Sequence, residues 1–186
     1  MLVIVNGELI TESDVIWALA LDPDVQPLDL SVENKRLMLE RLIDVRLLDQ
    51  EAEKTPQNEP TEVEITEYLK TQIARFGSET IFRARMQRVG LDQASLREIM
   101  RHRVEIEKYV RFRFRSFAFV RPEEVERYYH EVELPRLKTS GGAPPLDDKL
   151  RERIEAVLEN QKANAELDRF FDEARANAQV VRLVQL

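Results

Sequence analysis

The stretch Asp92–Arg121 reads DQASLREIMRHRVEIEKYVRFRFRSFAFVR and holds neither Gly nor Pro. Asp92 can cap a helix, and Leu96, Ile99, Met100, Val104, Ile106, Tyr109 and Val110 recur behind it at helical spacing. A helix of about 24 residues at 1.5 Å each spans about 36 Å, the width of a small domain. After Val110 the period fails. Arg111-Phe-Arg-Phe-Arg115 alternates, which fits a strand better than a helix face. The helix is expected to end near Arg115 or Ser116 and pass into extended chain over Phe117–Val120. Seven Arg and one Lys stand here against four acids, a balance of +4 in a chain whose net charge is -7. The stretch is thus either a nucleic-acid strip or the central helix of an α-helical body.

Bases stack on aromatic rings and phosphates pair with Arg, so Arg111–Arg115 could hold a single strand. Against this, the rest of the chain is acidic, where a nucleic-acid-binding domain is normally basic. Phe side chains at this density more often bury, each for roughly 1.5–3 kcal/mol, while Arg lays its stem along apolar surface and keeps its head wet. Core or groove lining is the preferred reading.

Composition sets the outer bounds. With 186 residues, 43% hydrophobic and 34% charged, the chain can bury a core without covalent staples. It has no Cys, which excludes disulfides, thiolate metal sites and cysteine nucleophiles. The longest apolar run, Val15–Leu21, is too short to cross a bilayer, so stable membrane insertion is not expected. No basic n-region precedes Leu2–Val5. The chain is read either as cytoplasmic or as a mature form whose signal peptide has been removed.

Outward from the central helix, the boundaries follow local chemistry. Asn6-Gly7 fits the tight turn of an N-terminal hairpin. Thr11 with Asp14 caps a helix to about Leu21, and Ser31 caps one to about Lys54 that should pack on two sides. Thr61 with Glu64 forms a capping box for a helix to Phe76. Ser78 opens a short helix to Val89, closed by Gly90. Pro122 suits the first position of a helix running to about Val132. Leu134–Leu146 reads as a linker by composition. The last helix starts near Asp147 or Asp148 and runs to about Asn177. The β-branched Val180–Val184 reads as a closing strand whose partner is the hairpin.

The chemistry-bearing residues are sparse. His102 has Glu105 nearby and His130 has Glu131, but no metal-ligand spacing joins them, and no metal or other cofactor is expected. Acids at helix starts are explained by capping and the macrodipole. No nucleophile elbow, P-loop, dinucleotide fingerprint or EF-hand loop occurs, so the chain is read as a non-enzyme.

Several ordered segments carry a resemblance. Val5-Asn-Gly-Glu-Leu-Ile-Thr-Glu-Ser-Asp-Val15, the helix Leu39–Ala52, the Phe76-Gly77-Ser78 turn, Gly90–Arg97, Arg121–Tyr129 and Ala165–Leu183 resemble, in this order, the SurA-like periplasmic chaperones. The trigger-factor peptide-binding domain is similar in architecture. The resemblance implies an all-α core with a small β element, in which a far C-terminal helix and strand complete the N-terminal region. The whole of 1–186 is then one core: an N-terminal helical region over 1–133, a linker over 134–146, and a completing helix and strand over 147–186. In that family one or two parvulin-type prolyl isomerase domains usually occupy the interval that here is only Leu134–Leu146. Isomerase activity is therefore expected to be absent. The implied function is ATP-independent holding of unfolded, outer-membrane or secreted polypeptides in the periplasm. Trp17, Phe76, Phe82, Met86, Tyr109, Phe112, Phe114, Phe117, Phe119, Tyr128 and Tyr129 are the candidate lining of a client groove. The alternative is a structural or assembly protein, a homodimer that exchanges its C-terminal helix through the short linker.

Overall fold

A computed structural model describes residues 2–25, 28–55, 59–116, 118–139 and 145–183. The protein is mainly helical with a small three-stranded antiparallel sheet. In order it forms β1 (Val3–Val5), β2 (Glu8–Ile10), α1 (Glu12–Ala20), α2 (Val32–Ala52), α3 (Glu62–Arg75), α4 (Glu79–Arg88), α5 (Gln93–Val110), α6 (Pro122–Tyr128), α7 (Leu134–Thr139), α8 (Asp148–Asn177) and β3 (Val180–Arg182). Two compact units result: Met1–Tyr109 with Phe171–Leu186, and Val110–Phe170.

In the first unit, Asn6 and Gly7 adopt φ of 50° and 92°, the two positive angles that turn β1 back into β2. The sheet order is β2-β1-β3, with Val3 opposite Arg182 and Val5 opposite Val180. The closing strand therefore meets the hairpin as its sequence suggests, on β1. Asn6 ties the two ends together: its N–H donates to the Gln179 carbonyl and its Oδ1 accepts from the Gln179 N–H, both at 2.9 Å. Below the sheet, Val3, Val5, Ile10, Val15, Leu19, Leu39, Ile43 and Leu47 make one core, with Ala174, Ala178 and Val180 packed against it. Arg175 pairs with Asp44 at 2.5 Å and Arg182 with Glu40 at 2.8 Å, fastening the end of α8 and β3 to α2.

A second cluster of this unit joins α1, α3, α4 and α5 through Ile65, Phe76, Phe82, Met86, Leu96 and Met100. The caps form as expected at Thr11, Ser31, Thr61 and Ser78, with reciprocal capping boxes at Thr11–Asp14 and Thr61–Glu64. Asp92 caps α5 through the Ser95 N–H at 2.8 Å. The last turn of α1 holds no basic residue of its own. Arg85 of α4 supplies the missing cation. Its Nη2 donates to the carbonyls of Leu19, Asp22 and Val25 at 2.8–2.9 Å, and its guanidinium lies 5.3 Å over the Phe76 ring.

The second unit departs from the sequence expectation in two places, and both are π-helical turns. Arg111–Arg115 continues α5 as a π-turn, with the Ser116 N–H bonded five residues back to the Arg111 carbonyl at 3.0 Å. The Arg-Phe alternation is thus a wider helical winding and not a strand; the helix still ends at Arg115–Ser116. Likewise α6 does not stop near Val132. It passes through a π-turn at Tyr129–Glu133 into α7, so the opening residues of the expected linker are helix. Pro135 gives the reason. It has no N–H and its ring would strike the carbonyl four residues back, so the preceding turn widens and the Leu134 N–H reaches the Tyr129 carbonyl instead. Ser140–Pro144 of the expected linker lie outside the described residues, as does Phe117. Leu150, Ile154, Val125 and Tyr129 form the core of this unit, with Val120 and Leu158 against it. Asp147 caps α8 through the Leu150 N–H at 2.8 Å.

Candidate functional site

After the first π-turn, residues 118–121 form neither helix nor strand, and their burial alternates. Ala118 and Val120 are partly buried, whereas Phe119 and Arg121 are exposed. Val120 packs on the core of the second unit. Lys162 of α8 donates to the Phe119 carbonyl at 2.7 Å and to Glu124 at 2.8 Å, and so fixes the backbone from which the Phe119 ring projects. That ring is 74% exposed. It lines an open cleft of about 680 Å³ together with Arg121, Glu123, Glu124, Arg127 and Lys162. Lys162, then the Arg121 backbone N–H, hold the Glu124 carboxyl below the usual range, so the rim keeps both signs of charge.

Phe112 is also exposed, at 53%. The π-turn separates it from Phe114, which is buried and meets Phe170 edge-on at 5.7 Å between ring centroids. Arg111, Arg113 and Arg115 are all exposed. The remaining candidates for a client groove lie deeper. Phe76, Phe82 and Met86 are buried in the second cluster of the first unit, with the two rings edge-on at 5.3 Å. Trp17 packs on the same cluster and donates its indole N–H to the Val89 carbonyl at 3.2 Å. Tyr109 and Tyr129 are buried, and Tyr128 is partly buried against the core of the second unit. Of the candidates among the described residues, only Phe112 and Phe119 offer most of a ring to solvent.

A separate polar cluster lies in the first unit. His102 and Glu105 stand three apart on α5 and so share one face. Asp49 of α2 comes to meet them. Its Oδ1 lies 3.1 Å from His102 Nδ1, and one donor atom from each of the three lies within 4.8 Å of the others. Asp49 is buried, and the other two are partly exposed. The hydrogen bond to Asp49 raises the His102 pKa against the opposing effect of burial. Burial, followed by the nearby Asp49 charge, raises that of Glu105. The sequence joined no partner to His102 beyond its neighbour Glu105; the third group is a carboxylate 53 residues earlier. Its trace in the sequence is a single acid, Asp49, directly after the apolar pair Leu47-Leu48.

No protein-family model matches this chain, and no curated protein matches it in sequence.

Proposed function

We propose that this protein is an ATP-independent, polypeptide-holding chaperone of the SurA-like type, acting in the periplasm without prolyl isomerase activity. The observation that carries this reading is the junction of the chain's two ends. The helix α8 and strand β3 complete the N-terminal hairpin and α2, which is the arrangement the resemblance implies. Leu134–Leu146 remains far shorter than a domain. Charged residues of both signs around a projecting aromatic suit a surface that must hold many sequences loosely. Burying Phe119 under a client side chain would contribute about 1–2 kcal/mol, enough for transient capture and too little for permanent binding.

The test is suppression of aggregation of a chemically unfolded outer-membrane or secreted client, followed by light scattering at one chaperone per client. The wild type should suppress most of the signal. The substitution Phe119→Ser should lose much of that effect at an unchanged melting temperature, since its ring is exposed. A wild-type chain that leaves the scattering curve unchanged overturns the reading.

A further inference from the structure

We propose that Asp49, His102 and Glu105 form a binding site for one first-row divalent transition ion, zinc being the best fit. The inference is independent of the chaperone reading, which uses none of these residues. Three observations carry it. The first is donor chemistry: a neutral imidazole with two carboxylates presents one nitrogen and two oxygens with a charge of -2, which matches a divalent cation. Calcium and magnesium prefer oxygen ligands alone, so the imidazole selects against them.

The second is geometry. Ligands at about 2.0–2.2 Å from a tetrahedral zinc lie about 3.4 Å from one another. His102 Nδ1 and Asp49 Oδ1 are already 3.1 Å apart, and the Glu105 carboxylate lies within 4.8 Å of both, a gap that a side-chain rotation closes. The three come from two helices, with two of them one turn apart on α5, so the backbone holds the spacing without a loop. Three protein donors leave the fourth position to water, and the part-exposed sides of His102 and Glu105 give it a path.

The third is the surrounding charge. Asp49 is only 6% exposed, and its carboxylate is hydrogen-bonded to His102. A second carboxylate stands beside it, and Glu53 adds a further negative charge near Glu105. Besides His102 itself, Arg46 and Arg101 stand near, but Arg46 is paired with Glu8 at 2.8 Å and Arg101 with Glu98 at 3.4 Å. With the imidazole neutral, as a ligand must be, the two carboxylates are short of positive charge, which a bound ion would supply at the point where the donors converge.

The experiment titrates the untagged full-length chain, freed of metal by a chelator, with zinc chloride by calorimetry and with cobalt chloride by visible absorption. One ion should bind per chain, with the d–d bands of four-coordinate cobalt and a melting temperature raised by roughly 5–10 °C at a free zinc concentration 100 times the dissociation constant. Asp49→Asn and His102→Ala should each weaken binding at least 10-fold. His130→Ala should leave it unchanged. Glu105→Gln, at a part-exposed position that folding tolerates, should shift the cobalt spectrum and weaken binding even if the other two variants fold poorly. The proposal is overturned by absence of binding, by several weak ions with no cobalt bands, or by affinity that survives both His102→Ala and Glu105→Gln.

Discussion

Replacing Arg85 tests how α1, α4 and the loop after α1 are held together. One terminal nitrogen faces three carbonyls, of Leu19, Asp22 and Val25, at 2.8–2.9 Å. It has two hydrogens, so at most two full bonds exist at a time. Charged hydrogen bonds contribute roughly 1.5–3 kcal/mol each, giving about 3–6 kcal/mol. Burial of the guanidinium works against this. It lowers the Arg85 pKa, and Nε is buried with no hydrogen-bond partner, at a cost of about 1–3 kcal/mol. The net is about 2–3 kcal/mol. Arg85→Met keeps a stem of similar length over the Phe76 ring and removes only the donors. It should lose that 2–3 kcal/mol. Arg85→Ala should lose about 1 kcal/mol more, because the stem also leaves the ring. Urea unfolding followed by circular dichroism reads both. With a slope of about 2–3 kcal/mol/M, the midpoint for Arg85→Met should fall by about 1 M with the slope unchanged. A midpoint within about 0.2 M of wild type would refute the capture of the α1 carbonyls as a source of stability.

Three other substitutions probe separate regions of the first unit. Glu64 accepts from the Thr61 backbone N–H, from Lys108 and from the Thr61 hydroxyl, which lower its pKa from 4.5 to about 2. A depressed carboxyl stabilises the fold above pH 4.5 and loses that contribution as the pH falls toward 2. Because the group is 41% exposed, screening leaves about 1 kcal/mol, which Glu64→Gln should remove at pH 7 while flattening the acid limb of a stability–pH curve. Met100→Ala, at a side chain with no exposure, should cost about 3 kcal/mol by urea titration, with a smaller loss meaning that the cavity collapses. Gly7→Ala meets no atom within 4 Å at its new Cβ, so any loss of melting temperature, about 1–2 kcal/mol in free energy, reports the φ of 92° alone.

What could be read in advance was whatever depends on neighbours in sequence. Thr11, Ser31, Thr61, Ser78 and Asp92 announce helix starts because an N-cap acts over three residues. Asn6-Gly7 announces its turn for the same reason. The pairing of Val180–Arg182 with the N-terminal hairpin was legible from β-branching; that it takes the β1 edge was not. The two π-turns were not. Residues 111–115 alternate Arg and Phe as a strand would, yet a wide turn in a helix already running separates Phe112 from Phe114 just as well. Leu134–Leu146 read as a linker by composition, yet the helix widens before Pro135 and runs on to Thr139. The candidate site was half legible. Aromatic side chains could be named, but whether a ring is core or surface depends on packing between distant segments: Phe82 is buried and Phe119 is bare. Asp49 and His102 meet across 53 residues, and no local pattern encodes that contact.

The antiparallel pairing of Val5 with Val180 has a consequence for the order of events during synthesis. At roughly 5–20 residues per second, β1 leaves the ribosome about ten seconds to half a minute before its partner exists. The hairpin can form at once, but one edge of β1 then stays open, with its hydrogen-bonding groups unpaired. The core beneath it lacks Ala174, Ala178 and Val180 over the same interval. The nascent chain therefore carries an uncapped sheet edge over an incomplete apolar floor until its last helix has been made. A protein of this design needs protection during its own synthesis of the same kind that it is proposed to give to others.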